Sequence, residues 1–266
     1  MDSLTFQQLK AYLDRMAWQI NRVDFIADDP VQFARRFERQ QDIEIASLLC
    51  STIAWGRRSM ICRNCDKMLA LMHNEPYDYV REGEFERLDD RVNIHRTFFT
   101  EDLKYYLRGL QRVYSRYSTL ETFAVEHQIA RSETPAWELV RCLSQELKDA
   151  NGGATNSRCL PTNLESTALK RVNMALRWLV RNDGIVDMGV WSVLKPCQLF
   201  VPLDVHVGNT ARGLGMIERR ANDRKTVLML TDVLRSMRPE DPVVYDFALF
   251  GIGVGGLTPT DSLFGE

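Results

Sequence analysis

The sequence predicts an all-α protein. Apolar residues recur at helical spacing along nearly the whole chain. Helix-start pairs punctuate it at Asp29-Pro30, Thr134-Pro135 and Asp241-Pro242. No stretch alternates apolar and polar residues long enough to read as a strand. The 266 residues are 45% hydrophobic and 26% charged, which suits a folded chain with a sizeable core and excludes intrinsic disorder for most of its length. The length fits one bilobed unit. We expect one lobe over 40–175 and a second built from 1–39 and 176–266.

The elements follow in order. Residues 4–24 form an amphipathic helix through Leu4, Leu9, Leu13, Met16 and Ile20. Asp29 caps and Pro30 opens a helix over 30–39. DIEIASLLCSTIAW, 42–55, is a strongly apolar helix that Gly56 stops, and another runs over 58–73. Residues 74–98 read as irregular loop. Thr100 caps a helix over 101–117 with Leu103, Leu107, Leu110 and Tyr114 on one stripe. Ser118 or Thr119 caps the next, to about Ile129, and Thr134-Pro135 starts 135–149. ANGGATNSRCLPTN, 150–163, is the clearest loop. A helix from Leu164 to Arg181 ends at Asn182-Asp183-Gly184, and a short one covers 188–194. Pro196 and Pro202 bound an extended CQLFV. Asp204, Asp223 and Asp241 then open helices over 205–213, 224–237 and 242–251. GIGVGG, 251–256, reads as a flexible exit, with a poorly ordered end after it.

Charge and cysteine usage narrow the function. The formal net charge is −2, so the whole chain carries no polycation signature. Residues 155–225, however, hold eleven Lys/Arg against six Asp/Glu, a net of +5 between acidic flanks, which could draw a polyanion to one surface. No apolar run approaches the roughly 20 residues that span a bilayer, and MDSLTFQQLKAYLDRM lacks a signal-peptide core, so the expected location is the cytoplasm, away from membranes. Cys62 and Cys65 form the one C-x-x-C. Without a second pair they read as reduced structural thiols on one helix face, and no metal or cofactor is expected. Walker, G-x-S-x-G, H-E-x-x-H and dinucleotide fingerprints are absent from the sequence.

Two segments carry candidate chemistry. In ESTALKRVNMALRWLVRNDG, 165–184, Lys170 falls in the second turn of an otherwise apolar helix. Desolvation there lowers an amine's pKa and leaves part of it neutral and nucleophilic; the alternative is an amine that snorkels to water and pairs with Glu165 or Asp204. In LFVPLDVHVGNTARGLGM, 199–216, Asp204 sits at a helix start, where backbone N–H groups favour an anion. Facing a cavity, such an anion would stabilise a cationic sugar transition state. His206 reads as a structural hydrogen-bonding residue. Trp178 falls on the core stripe.

LLCSTIAWGRR, the PLDVHVGNTARGLG run and the Lys-bearing helix upstream of it resemble the helix–hairpin–helix DNA glycosylase superfamily, which includes endonuclease III and the archaeal oxoguanine glycosylases. Over nearly its whole length the chain is similar to a bacterial branch of this kind through Lys170–Arg181, Pro202–His206 and Tyr245–Gly251. The resemblance implies two helical lobes around a cleft that takes a flipped base from damaged double-stranded DNA. It implies Lys170 as the nucleophile on C1′ and Asp204 as the aspartate that assists base departure. Arg57, Arg58, Arg171, Arg177 and Arg212 are candidate phosphate contacts, and Trp55 and Trp191 candidate base-stacking residues. The sequence departs from the family at the hairpin. The stretch LPTNLESTALK, 160–170, has no glycine, and Glu165 opposes a phosphate, so Asn151-Gly152-Gly153 or the start of the Lys170 helix would have to substitute. The last cysteine is Cys197, which leaves no C-terminal iron–sulfur motif. A non-catalytic nucleic-acid- or partner-binding protein on the same scaffold is the alternative expectation.

Overall fold

The computed structural model describes residues 5–255, and these are all-α apart from one small hairpin. The first helix, α1 (Phe6–Ile20), starts where Thr5 caps it: the Thr5 side chain accepts from Gln8 N, and Gln8 reaches back to Thr5 N. Then come α2 (Val23–Ala27), α3 (Val31–Ala34), α4 (Gln40–Thr52) and α5 (Arg58–Leu71). The expected 30–39 helix is thus reduced to one turn, because Arg36 N and Phe37 N bond carbonyls three residues back and the chain unwinds.

The 74–98 stretch is more ordered than expected. It holds α6 (Pro76–Glu82), begun at its proline, and the antiparallel pair β1 (Asn93–His95) and β2 (Phe98–Phe99). These elements are too short for a periodicity to register. Next are α7 (Thr100–Tyr114), α8 (Leu120–Glu126), capped by Thr119 through Thr122 N, and α9 (Pro135–Ala150). The α7 cap is Phe99, not Thr100, with the Asp102 carboxylate holding Phe99 N at 2.9 Å.

The helix expected from Leu164 instead begins six residues later, as α10 (Lys170–Val180). Its expected first turns are consumed by tertiary bonds. The Trp137 indole N–H donates to Thr167 O at 3.2 Å, Arg224 N donates to Ser166 O at 2.9 Å, and Leu169 adopts a left-handed conformation with φ +49°. Residues 188–194 are irregular, not helical, because their amides are spent elsewhere. Met188 N donates to Trp178 O, Trp191 N to Leu179 O, and Ser192 N and Val193 N to the Glu121 carboxylate.

The chain closes with α11 (Val205–Gly213), α12 (Arg224–Met237) and α13 (Tyr245–Gly255), the first two capped by Asp204 and Asp223 as the sequence suggests. Part of the supposed glycine-rich exit is helical: Gly251–Gly255 ends α13, and the residues after 255 lie outside the described region. The glycines permit close packing. A Cβ at Gly251 would meet Ile20 of α1 at 2.6 Å, and one at Gly253 would meet Thr210 of α11 at 2.8 Å. One set of contacts therefore joins α1, α11 and α13; another joins α7 with α9 and α3 with α4; α10 packs on both α4 and α9. A continuous apolar core runs through both sets. No described helix is long and apolar enough to cross a membrane.

Candidate active site

The 160–169 loop and the start of α10 are pinned on three sides. Trp137 of α9 and Arg224 of α12 hold the loop, and Arg171 donates to Thr52 O at the end of α4 at 2.6 Å. Upstream, Asp102 ties the same connection to α7 by accepting from Asn156 at 2.7 Å and Arg158 at 3.2 Å. The launch point of Lys170, the first residue of α10, is therefore fixed. Its side chain enters a cavity of about 750 Å³, walled by α10, the α4–α5 turn, the start of α11 and one face of α13.

Lys170 and Asp204 both line this cavity. Lys170 Nζ lies 3.4 Å from Met174 Sδ, and no carboxylate of the described residues forms an ion pair with it. Burial lowers the Lys170 pKa, opposed by Asp204, Asp246 and Asp29 and aided by Arg177. The alternative pairing, with Glu165 or Asp204, does not form; Glu165 is exposed on the preceding loop. Asp204 Oδ1 accepts from Val207 N at 3.0 Å, which locks the carboxylate at the head of α11. His206 is exposed at the rim and edge-on to Phe250, 6.2 Å between ring centroids.

Two further carboxylates line the cavity, and sequence reasoning missed them as site residues. Asp29 holds Val31 N at 3.0 Å and lies 4.0 Å from the Arg58 guanidinium. Asp246, on α13, is 6% exposed and paired with Arg177. Burial drives its carboxyl up to about 6, against the pull of Arg177 and Lys170 and with a further push from Asp204 and Asp187. Asp29 was hidden behind an ordinary capping role. The usable signal for Asp246 was an acid set inside the apolar run YDFALF.

The candidate arginines divide. Arg177 is corrected: it is 3% exposed, bonds Asp187 at 3.2 Å and Asp246, and lies over the Phe247 ring at 4.2 Å, so no phosphate reaches it. Arg181 extends this buried network to Asp187 at 3.0 Å and Asp241 at 2.8 Å. Arg212 spends its donors on Arg219 O, Arg220 O and Asn222, and Arg171 on Thr52 O, which makes both braces of the local backbone. Arg57 is exposed at the α5 start, and Arg58 lies on the cavity wall above Phe25 and Phe250.

Of the tryptophans, Trp55 lines the cavity, edge-on to His95, which bonds Trp55 O at 2.8 Å. Trp191 is corrected: it is 3% exposed, and its indole N–H donates to the buried Glu44 carboxylate at 2.8 Å, so it offers no face to a base. Trp178 is fully buried, as its place on the core stripe suggests. Gly152 and Gly153 serve the end of α9, where Gly153 N caps Lys148 O at 2.9 Å. Cys62 is half-buried and Cys65 buried on α5, and all six cysteines are free thiols. Among the described residues no group of three or more His, Cys, Asp or Glu is placed to hold a metal ion.

Residues 29–255 match a family described as "Protein of unknown function (DUF2400)". The chain belongs to the DUF2400 family. No curated protein and no solved structure matches it. The charged groups that surround the Lys170 amine all fall inside the DUF2400 span, whereas α1 precedes it.

Proposed function

We propose that this DUF2400 protein is a DNA base-excision glycosylase with lyase activity, acting on a flipped, oxidised purine in double-stranded DNA and working through Lys170. One observation carries the reading: an amine with no carboxylate in ion-pair contact, its charged form disfavoured by burial, shares a cavity with a carboxylate fixed at a helix start. The neutral amine attacks C1′, and Asp204 stabilises the positive charge that develops on the sugar as the base leaves. The resulting Schiff base permits β-elimination and strand nicking. Trp55 flanks the flipped base, and Arg57 and Arg58 at the rim meet the backbone phosphates. The cavity volume is in the range of a small-molecule pocket and admits one nucleoside.

The test is borohydride trapping on a duplex carrying an abasic site or oxoguanine. A covalent adduct that Lys170→Gln abolishes supports the reading. The glycine-free 160–169 loop favours a second reading, a binding module on the same scaffold. It predicts salt-sensitive retention of DNA without any adduct. Absence of both adduct and retention at low salt overturns the two readings together.

A further inference from the structure

We propose that Asp246 carries the proton that leaves the Lys170 ammonium to the base that departs. The inference rests on the glycosylase reading and adds to it the group that moves the proton. Two needs meet in one cavity. The amine must be neutral to attack, and a purine leaves far more easily when its nitrogen is protonated than as an anion. A single carboxyl that takes a proton from the first, relayed through one bridging water because no carboxylate lies in ion-pair contact with the amine, and gives it to the second meets both needs.

The three carboxylates of the cavity are not equivalent. Asp204 Oδ1 is taken by Val207 N in capping α11. Asp29 Oδ1 is taken by Val31 N, and its other oxygen faces Arg58. Asp246 caps no helix; Arg177 holds Oδ2, and Oδ1 has no hydrogen-bond partner among the described residues. The charged groups around it are Lys170 and Arg177 on α10, Asp187 beyond the end of that helix, and Asp204 with His206 at the start of α11. Asp29 and Arg58 complete the cavity. Burial beside two other acids sets its carboxyl at about 6, close enough to neutrality to gain and lose a proton in each turnover.

The step balances as written. Lys170 ammonium and Asp246 carboxylate become amine and carboxylic acid. Nζ then bonds C1′, and the C1′–N bond breaks with its electron pair passing to the base nitrogen. That nitrogen takes the proton from Asp246. The products are a secondary ammonium on C1′, a neutral free base and the Asp246 carboxylate.

The experiment compares the whole protein with Asp246→Asn on two duplexes, one carrying oxoguanine and one carrying a preformed abasic site. Asp246→Asn keeps an oxygen for Arg177. The expected result at pH 9, where hydroxide competes with Asp246 for the amine's proton, is abasic-site trapping near the wild-type level with oxoguanine release down by about 100-fold or more. Release within threefold of wild type in a folded variant overturns the proposal, as does equal loss on both duplexes. If Asp246→Asn does not fold, the wild-type pH profile decides. Oxoguanine release should be bell-shaped with its acid limb near 6, while abasic-site trapping should rise to a plateau. Release that shows no alkaline fall overturns the proposal. Wild type that traps the abasic duplex yet never releases oxoguanine overturns it too, whereas wild type that traps neither overturns the glycosylase reading itself.

Discussion

The Lys170 amine rests 3.4 Å from the Met174 thioether, one turn further along the same helix. A thioether is a weak acceptor and does little to stabilise an ammonium. The carboxylates of the cavity attract the amine from a distance but do not clasp it. Its charge state therefore depends on what stands at position 174.

Met174→Glu should convert this neighbour into a charged partner. An ion pair raises the amine's pKa, and each unit gained lowers the neutral fraction at fixed pH by tenfold. Trapping on abasic DNA should fall by about tenfold at pH 7 and recover as pH rises. An unchanged rate at pH 7 would count against the neutral amine as nucleophile.

Asp204→Asn separates capping from chemistry. Asparagine caps as well as aspartate does, so thermal stability should change by no more than about 0.5 kcal/mol. Base release under single-turnover conditions should fall by about 10²–10³-fold as the sugar cation loses its counter-charge. A variant that melts early and still releases base would make Asp204 a cap and nothing more.

Trp191→Phe tests the reassignment of that residue. It removes one hydrogen bond to the buried Glu44 carboxylate, which also holds Tyr114 Oη at 2.9 Å and Leu120 N at 2.8 Å. The expected cost is about 1.5–3 kcal/mol in chemical denaturation, with DNA retention unchanged. Reduced DNA retention at full stability would return Trp191 to the binding surface.

Asp246 should leave a mark on stability against pH. Its folded-state carboxyl, at about 6, lies above the ordinary 3.8, so the folded chain holds this proton more tightly than the unfolded one. The contribution is fully present below 3.8 and is lost as pH rises through about 6. Denaturation of wild type and Asp246→Asn across that window should show a steeper decline in wild type, since Asp42, Glu44 and Asp187, also raised by burial, titrate in both. Parallel curves would remove Asp246 as the titrating group.

Helix starts were legible in the sequence wherever a local chemical rule set them. Asp204, Asp223 and Thr119 each cap the helix they precede. The order and the helical class followed from periodicity alone. What stayed hidden was decided at long range. Trp137 and Arg224 take the carbonyls that would have extended α10 to Leu164, and Glu121 takes the amides that would have made 188–194 helical. For the site, Lys170 stood out as a charge in an apolar helix, and the family resemblance singled out both it and Asp204. Arg177 and Trp191 looked like surface contacts because nothing local announces Asp187, Asp246 and Glu44 as their partners.

The first and last described helices pack on one another, with Ile20 filling the notch left by Gly251. A growing chain thus exposes α1 well before the helix that covers it has been made. Asp246 and the wall that carries it arrive with that helix, so a product terminated before α13 would hold the lysine in an open trough. The order of translation itself leaves the cavity without its last wall until α13 has emerged.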